Sequence, residues 1–431
     1  MITDTLPEKY IARMRAQLAG DACAFFDALE KPPERGFRLR RGALPEGTGP
    51  VIPWAQNGYY LSRESRAGSS AAHEAGAFYL QEPSAMVPVT ALDPQPGECI
   101  LDLCAAPGGK STQIGALMRG KGLLVSNEPV YSRAKVLSMN VERMGIPNAV
   151  VTSAMPQDLE KCWKETFDRI LVDAPCSGEG MFRRHPEAVE QWYEGINEAC
   201  AQRQALILSS AARMLREGGT LVYSTCTFSP EENEGVIEAF LSAHDEFVLE
   251  PFEAEGLPKN GGMLTLYPHR IRGEGHFAAK MRKTGDAPVR GPFGLPHQKT
   301  GAVSDWLRQN GFDMRDDLIY PFAGRYVLLP ENMVPLKGIK VLRMGLDLCE
   351  ERGGRFMPMH ALALWQDRVD IALDQEEAVR FIHGEAIQKN TPVKGYAIAG
   401  YEGCPLGWGK ASDGTIKNHY PKGLRKQLQV L

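Results

Sequence analysis

From Cys99 onward the chain alternates strand-like and helix-like segments, and this alternation limits its fold more than any other feature of its 431 residues. Apolar runs at 99–104, 122–128, 149–153, 168–173 and 220–226 are interleaved with helical spacing at 110–119, 131–144, 196–216 and 231–243. Strands separated by helices pair in parallel through right-handed crossovers, giving an α/β, Rossmann-like sheet. An open sheet of this kind collects reactive groups at the carboxyl ends of its strands. Two more apolar stretches, around 263–267 and 276–281, are expected to close the sheet as an antiparallel edge pair.

The flanks read differently. Ile11, Met14, Leu18, Phe25, Phe26 and Leu29 fall at helical spacing within residues 6–30, and a Pro/Gly/Arg-rich segment follows from Pro32 to Gly68. The expected division is an N-terminal extension at 1–85, a catalytic domain at 86–284, a linker at 285–299 and a separate C-terminal unit at 300–431. No apolar run approaches the ~18 residues of a membrane span, and Met1-Ile2-Thr3-Asp4 does not open a signal peptide. Nine cysteines without paired spacing suggest reduced thiols in a cytoplasm, and the absence of C-x-x-C gives no support for a metal site. The net charge of −4 argues against wholesale coating of nucleic acid. Its distribution is uneven: residues 31–66 hold seven Lys/Arg against three acids, and residues 258–290 hold seven against two. Such stretches fit a confined polyanion track, although each alone also fits a solvated face.

Three strand ends carry chemistry. Cys104-Ala105-Ala106-Pro107-Gly108-Gly109-Lys110 follows the first strand, Asp173-Ala174-Pro175-Cys176-Ser177-Gly178 the fourth, and Ser224-Thr225-Cys226-Thr227 ends the fifth. The glycine turn lacks the first glycine of a phosphate-binding P-loop, which here is Cys104, and it lacks G-x-G-x-x-G. What remains is a tight strand-to-helix turn that a ligand can approach closely. Glu128, 24 residues beyond Cys104, ends the next strand where an acid can take both hydroxyls of a ribose. One cysteine at a strand end is usually a small buried hydrophobe. Two beside a cofactor turn point to nucleophilic catalysis on a pyrimidine, whose carbon-5 must be activated by thiolate addition at carbon-6. Asp173 is placed to hydrogen-bond near ring nitrogen-3 as charge develops there, and Lys110 is a local cation that could favour the thiolate. The residues alone permit either cysteine to be the nucleophile.

The segments 102–112, 172–183 and 223–234 resemble the Nop/Sun RNA cytosine-5 methyltransferases, especially the bacterial RsmF type. The similarity continues through Gly76–Met86, Tyr267-Pro268-His269, Gly273–Phe277, Gly407–Lys410 and Lys417–Arg425, and so covers nearly the whole chain. The resemblance implies a class I S-adenosyl-L-methionine-dependent fold, and 16S ribosomal RNA or the 30S subunit as partner. It implies Cys226 as nucleophile and Cys176 as the residue that assists product release. Residues 104–110, Glu128 and Asp173 would hold the cofactor, with Met155 beside the adenine. Relatives often carry Asp in that loop, where this chain reads Thr152-Ser153-Ala154-Met155-Pro156; backbone or Asp158 would then hold the adenine amino group. Arg38-Leu39-Arg40 likewise departs from the family's R-x-N.

The tail places Lys410, Lys417, Lys422, Arg425 and Lys426 among Tyr401, Trp408 and Tyr420, as expected of a surface that stacks bases and follows phosphates. With its alternating apolar residues it resembles a PUA domain. Arg38, Arg183, Arg184, Lys410, Lys417, Lys422 and Arg425 are the candidate RNA contacts, and a cytoplasmic monomer is expected. Another RNA such as tRNA, a small-molecule or protein substrate, and a non-catalytic RNA scaffold are the alternatives. A small-molecule or protein methyltransferase would need neither both cysteines nor a basic module; a scaffold could keep the basic surface but would have little reason to keep Cys226, Cys176 and Asp173 together with the cofactor loop.

Overall fold

The computed structural model describes residues 2–286, 295 and 298–428. Its centre is a nine-stranded sheet. In spatial order the strands are Phe247–Leu249, His276–Lys283, Leu215–Thr225, Phe167–Asp173, Cys99–Asp102, Leu123–Asn127, Ala149–Thr152 and Val341–Met344, with Met263–Leu266 also paired to His276–Lys283. The five strands from Leu215–Thr225 to Ala149–Thr152 are parallel, as their helical crossovers require. Met263–Leu266 and His276–Lys283 form the expected antiparallel pair.

Every residue of Cys99–Asp102, Leu123–Asn127 and Ala149–Thr152 is buried, because helices cover both faces. One face packs Leu101, Val125, Trp163, Phe167 and Leu208; the other packs Ile100, Ile114, Leu124, Leu137 and Val141. Truncating a fully buried leucine such as Leu124 to alanine is expected to cost about 2–5 kcal/mol.

The N-terminal helices Glu8–Leu18 and Ala22–Leu29 turn Tyr10, Met14 and Phe25 onto Phe182, Phe228 and Tyr267. They therefore brace the loops that follow the two cysteine motifs. A four-stranded sheet (Gly36–Leu39, Thr48–Val51, Gly58–Leu61, Phe78–Leu80) comes next.

The unit expected to stand apart from residue 300 is joined to the rest on two sides. Its strand Val341–Met344 pairs antiparallel with Ala149–Thr152 and covers what would be an open sheet edge. Its last part, a five-stranded sheet with the helix Gln375–His383, shares one apolar core with the N-terminal sheet: Phe37, Leu61 and Phe78 pack with Phe381, Ile382 and Leu406. Most of the expected linker, and Arg290 in the second basic stretch, lie outside the described residues. No described helix is long and apolar enough to cross a membrane.

Candidate active site

The glycine turn is built by its backbone. Gly108 sits at φ 116°, and a Cβ there would press on Leu137 at 3.3 Å and Asn140 at 3.4 Å. The helix Gly109–Met118 starts immediately after it and carries Lys110 back across the sheet edge. Lys110 Nζ donates to Asp173 Oδ2 at 2.7 Å, and Ser224 Oγ donates to Oδ1 at 2.8 Å. Burial would raise the Asp173 carboxyl, but Lys110 and the neighbouring His276 hold it well below the usual range. Burial works against the Lys110 ammonium too, yet Asp173 raises it overall, so the pair stays ionised.

Cys176 and Cys226 meet although 50 residues separate them: their sulfurs are 3.3 Å apart, and the Cys226 amide donates to Cys176 Sγ at 3.4 Å. Both sit in the loops that follow adjacent parallel strands, Phe167–Asp173 and Leu215–Thr225, which bring Asp173 opposite Ser224. The contact with Cys226, reinforced by burial, pushes the Cys176 thiol well above its ordinary value. Ser177 Oγ and Thr227 Oγ1 tie the two loops together at 2.8 Å.

A cleft of about 630 Å³ runs along this edge, lined by Cys104, Ala106, Glu128, Met155, Gln157, Asp173, Cys176 and Cys226 among others. That is within the size range of cofactor sites. A smaller space of about 180 Å³ shares Cys104, Ala106 and Asp173 with it and continues past Ala105, Pro107, Gly109, Lys110 and Asp102. The structure thus gathers Cys104, Ala105, Ala106, Pro107, Gly109, Lys110, Glu128, Met155, Asp173, Cys176 and Cys226 around two openings that share Cys104, Ala106 and Asp173. The donor set suits an adenosyl amino acid bearing positive charge. Glu128 is buried with one oxygen on the Val130 amide and the other 3.5 Å from Arg133, leaving it able to accept from ribose hydroxyls. Asp102 takes Ser111 on Oδ2, while its Oδ1 is buried without a partner among the described residues. Burial pushes the Asp102 carboxyl up to about 7, against that hydrogen bond. Cys104, raised by burial and by Asp102, is a poor nucleophile.

Several assignments need correcting. Arg38 does not face RNA: it is 4% exposed, and its guanidinium holds Gln81, the Gly109 carbonyl and Thr112, bracing the glycine turn from behind. Arg183 is also internal, paired with the buried Glu274 at 2.7 Å and donating to the Ala28 and Gly273 carbonyls. Arg184 is exposed. Arg40 and Arg41 tie the N-terminal strand to the Leu364 and Gln366 carbonyls, so much of the first basic stretch is structural. Asp158 pairs with Lys161 and does not line the cleft; Gln157 does. In the tail, Lys410, Lys417, Lys422 and Arg425 are exposed, but Trp408 and Tyr420 are core residues. The aromatic beside Lys410 is Tyr396, 5.6 Å below its ammonium.

Sequence reasoning assigned no role to the buried groups behind the cysteine loops. His276 is 3.6 Å from Asp173 Oδ1, and burial and Lys110 push its imidazole down, keeping it neutral. Glu179 and Glu232 are fully buried and bond Asn197, Gln204 and backbone amides. The only available signal was their crowding of acids beside each cysteine motif.

A family model described as 16S rRNA methyltransferase RsmB/F matches residues 89–282. Models for the RsmF N-terminal domain, first C-terminal domain and PUA domain match 6–83, 305–365 and 368–426. Ribosomal RNA small subunit methyltransferase F of Klebsiella pneumoniae is 34% identical over 461 aligned residues, covering 97% of this chain and 96% of that protein. The protein of the same name from Shewanella oneidensis is 34% identical, with 94% of each covered. Among solved structures, a methyltransferase homolog protein from Pyrococcus horikoshii superposes with TM-score 0.52 at 32% identity, over 61% of this chain and 90% of that one. NSun6 from the same organism, solved with SFG, shares the fold at TM-score 0.56 and 23% identity, over 65% of this chain and 99% of that one. Four matched domains in unbroken order, and relatives aligned nearly end to end around the paired cysteines, leave one conclusion: the chain belongs to the ribosomal RNA small subunit methyltransferase F family.

Proposed function

We propose that this chain methylates carbon-5 of a cytosine in 16S ribosomal RNA, using S-adenosyl-L-methionine and a transient bond from Cys226 to carbon-6. The observation that carries this reading is the 3.3 Å approach of Cys176 and Cys226 beside the ionised Lys110–Asp173 pair, in the same cleft as Glu128. The names of the relatives support small-subunit ribosomal RNA over tRNA.

Bound in the cleft, the cofactor supplies an electrophilic methyl carbon on a sulfonium. Cys226 attacks carbon-6 as its thiolate, the ring takes up a proton at nitrogen-3, and carbon-5 becomes an enamine carbon able to accept the methyl group. Asp173, kept ionised by Lys110, accepts the N–H formed at nitrogen-3. Release requires loss of the carbon-5 proton to solvent; the electron pair left behind restores the double bond and breaks the carbon–sulfur bond, and nitrogen-3 returns to solvent the proton it took from water. Cys176, held as a neutral thiol against Cys226, protonates the departing sulfur and then recovers its proton from water. Glu128 holds the ribose, and Lys410, Lys417, Lys422 and Arg425 contribute RNA contacts. The protein would act as a cytoplasmic monomer on naked RNA or the 30S subunit.

The test uses methyl-labelled cofactor with 16S RNA and 30S subunits. Cys176→Ala should accumulate labelled RNA bound to protein through denaturing electrophoresis, and Cys226→Ser should neither trap nor methylate. Trapping by Cys226→Ala and not by Cys176→Ala would reverse the roles.

A further inference from the structure

Cys176 lies in a loop, not in a strand, so something other than the sheet ladder must fix its sulfur against Cys226. Gln204, on the helix Ile196–Met214, is wholly buried and does not line the cleft. Its amide nitrogen donates to the Pro175 carbonyl at 3.0 Å and to Glu232 Oε2 at 2.8 Å. The same Glu232 oxygen accepts from the Ser177 amide at 3.0 Å. The peptide groups on both sides of Cys176 are thereby held by one two-residue unit, while Asn197 Nδ2 fixes the other Glu232 oxygen at 2.8 Å. Gln204 Oε1 is buried without a partner among the described residues. A buried amide that leaves its oxygen unbonded to aim both N–H groups is oriented by those two contacts, since stranding an acceptor is costly.

We infer that Gln204 and Glu232 form a clamp that positions Cys176 for the release step, so that loosening it stalls the enzyme after methyl transfer rather than before it. This rests on the covalent reading above. Lys110, Glu128, Asp173 and Cys226 make no hydrogen bond to Gln204, which bonds only Pro175 and Glu232 among the described residues, so attack and methyl transfer should survive its loss. Only the placement of the thiol that must reach the departing sulfur depends on the clamp.

Gln204→Met keeps nearly the same volume and removes both donors. Rapid-mixing experiments with labelled cofactor and 16S RNA should show a first turnover within about twofold of the parent, and steady-state turnover lower on the order of tenfold. The labelled RNA–protein adduct should accumulate as in Cys176→Ala. Gln204→Asn, too short to span both acceptors, should behave the same way and serves if the methionine variant does not fold. A merely structural loss would lower burst and steady state together, with no adduct, and would overturn the clamp. Parent-like turnover in both folded variants would also overturn it, provided Cys176→Ala traps RNA. If Cys176→Ala traps nothing, the covalent reading fails and the clamp falls with it.

Discussion

The carboxyl edge of the catalytic sheet and the outer face of the last sheet both carry exposed-looking charges in sequence, yet the molecule treats them in opposite ways. At the catalytic edge, charges are buried and matched: Lys110 with Asp173, Arg183 with Glu274, and Arg38 with backbone and amide oxygens. On the outer face, Lys410 stands directly across the strand pair from Lys417, and Tyr396 stands across from Lys410 on the other side. Both lysines are exposed, and no ion pair among the described residues includes either. Like charges placed opposite each other on neighbouring strands are unfavourable without a counter-charge. A matched, desolvated site does chemistry by geometry, while an unmatched, solvated row waits for a polyanion. Substitutions should therefore cause large, local failures at the first and small, additive ones at the second.

The largest effect belongs to Cys226. A serine hydroxyl is far too weakly acidic to replace the thiolate, so Cys226→Ser should lower turnover on the order of 10³-fold or more. Cofactor affinity, measured by calorimetry, should not change, because Glu128 and the glycine turn are untouched. Next comes Glu128→Ala, which removes charge-assisted contacts to ribose hydroxyls worth roughly 1.5–3 kcal/mol, or about 10–150-fold in cofactor affinity. Unchanged affinity in the folded variant would remove Glu128 from the ribose role.

Asp102 gives the catalytic edge a distinct pH signature. Burial raises its folded carboxyl to about 7, whereas an unfolded aspartate releases its proton near ~3.9. Between those values the folded state binds more protons than the unfolded state, so this group's contribution makes stability fall as pH rises, and the fall ends above about pH 7. Asp102→Asn should flatten that part of the profile in denaturant unfolding between pH 4 and 7. An unchanged slope would mean that the carboxyl is not strained in the free protein.

The same contrast explains what could be read in advance. The five parallel strands, the antiparallel pair and the cysteine motifs were legible because apolar runs and turns are local features. The fates of Arg38, Arg40 and Arg41 were not, because whether a guanidinium faces solvent or a distant carbonyl such as that of Leu364 depends on tertiary packing. Trp408 and Tyr420 misled for the same reason: aromatics between lysines suggest stacking, but Trp408 packs on Phe312 and donates to the Met359 carbonyl, and Tyr420 packs on His360 and Phe381. The edge strand Val341–Met344 was invisible because its partner, Ala149–Thr152, lies far away in sequence. It also changes how the tail can be tested. Deleting residues 300–431 would open the edge of the catalytic sheet and strip Phe37 and Phe78 of their packing, so lost activity would not report on RNA contacts.

Point substitutions on the outer face avoid that difficulty and carry the smallest prediction. Lys410→Ala and Lys417→Ala leave the strands Cys404–Ser412 and Thr415–Asn418 intact, since both side chains are exposed and their backbones carry the pairing. If this row follows a phosphate backbone, each change should weaken RNA binding only a few-fold at moderate salt. The slope of log affinity against log salt should become shallower by about 0.7 for each lost contact to single-stranded RNA. Removing either lysine also relieves the repulsion on the other, so the free protein should be unchanged or slightly more stable while its RNA complex is weaker. That opposite movement distinguishes a recognition surface from a solvated one. A variant lacking both lysines, with parent affinity and parent salt slope, would show the outer face to be inert and would return the burden of RNA binding to the catalytic half.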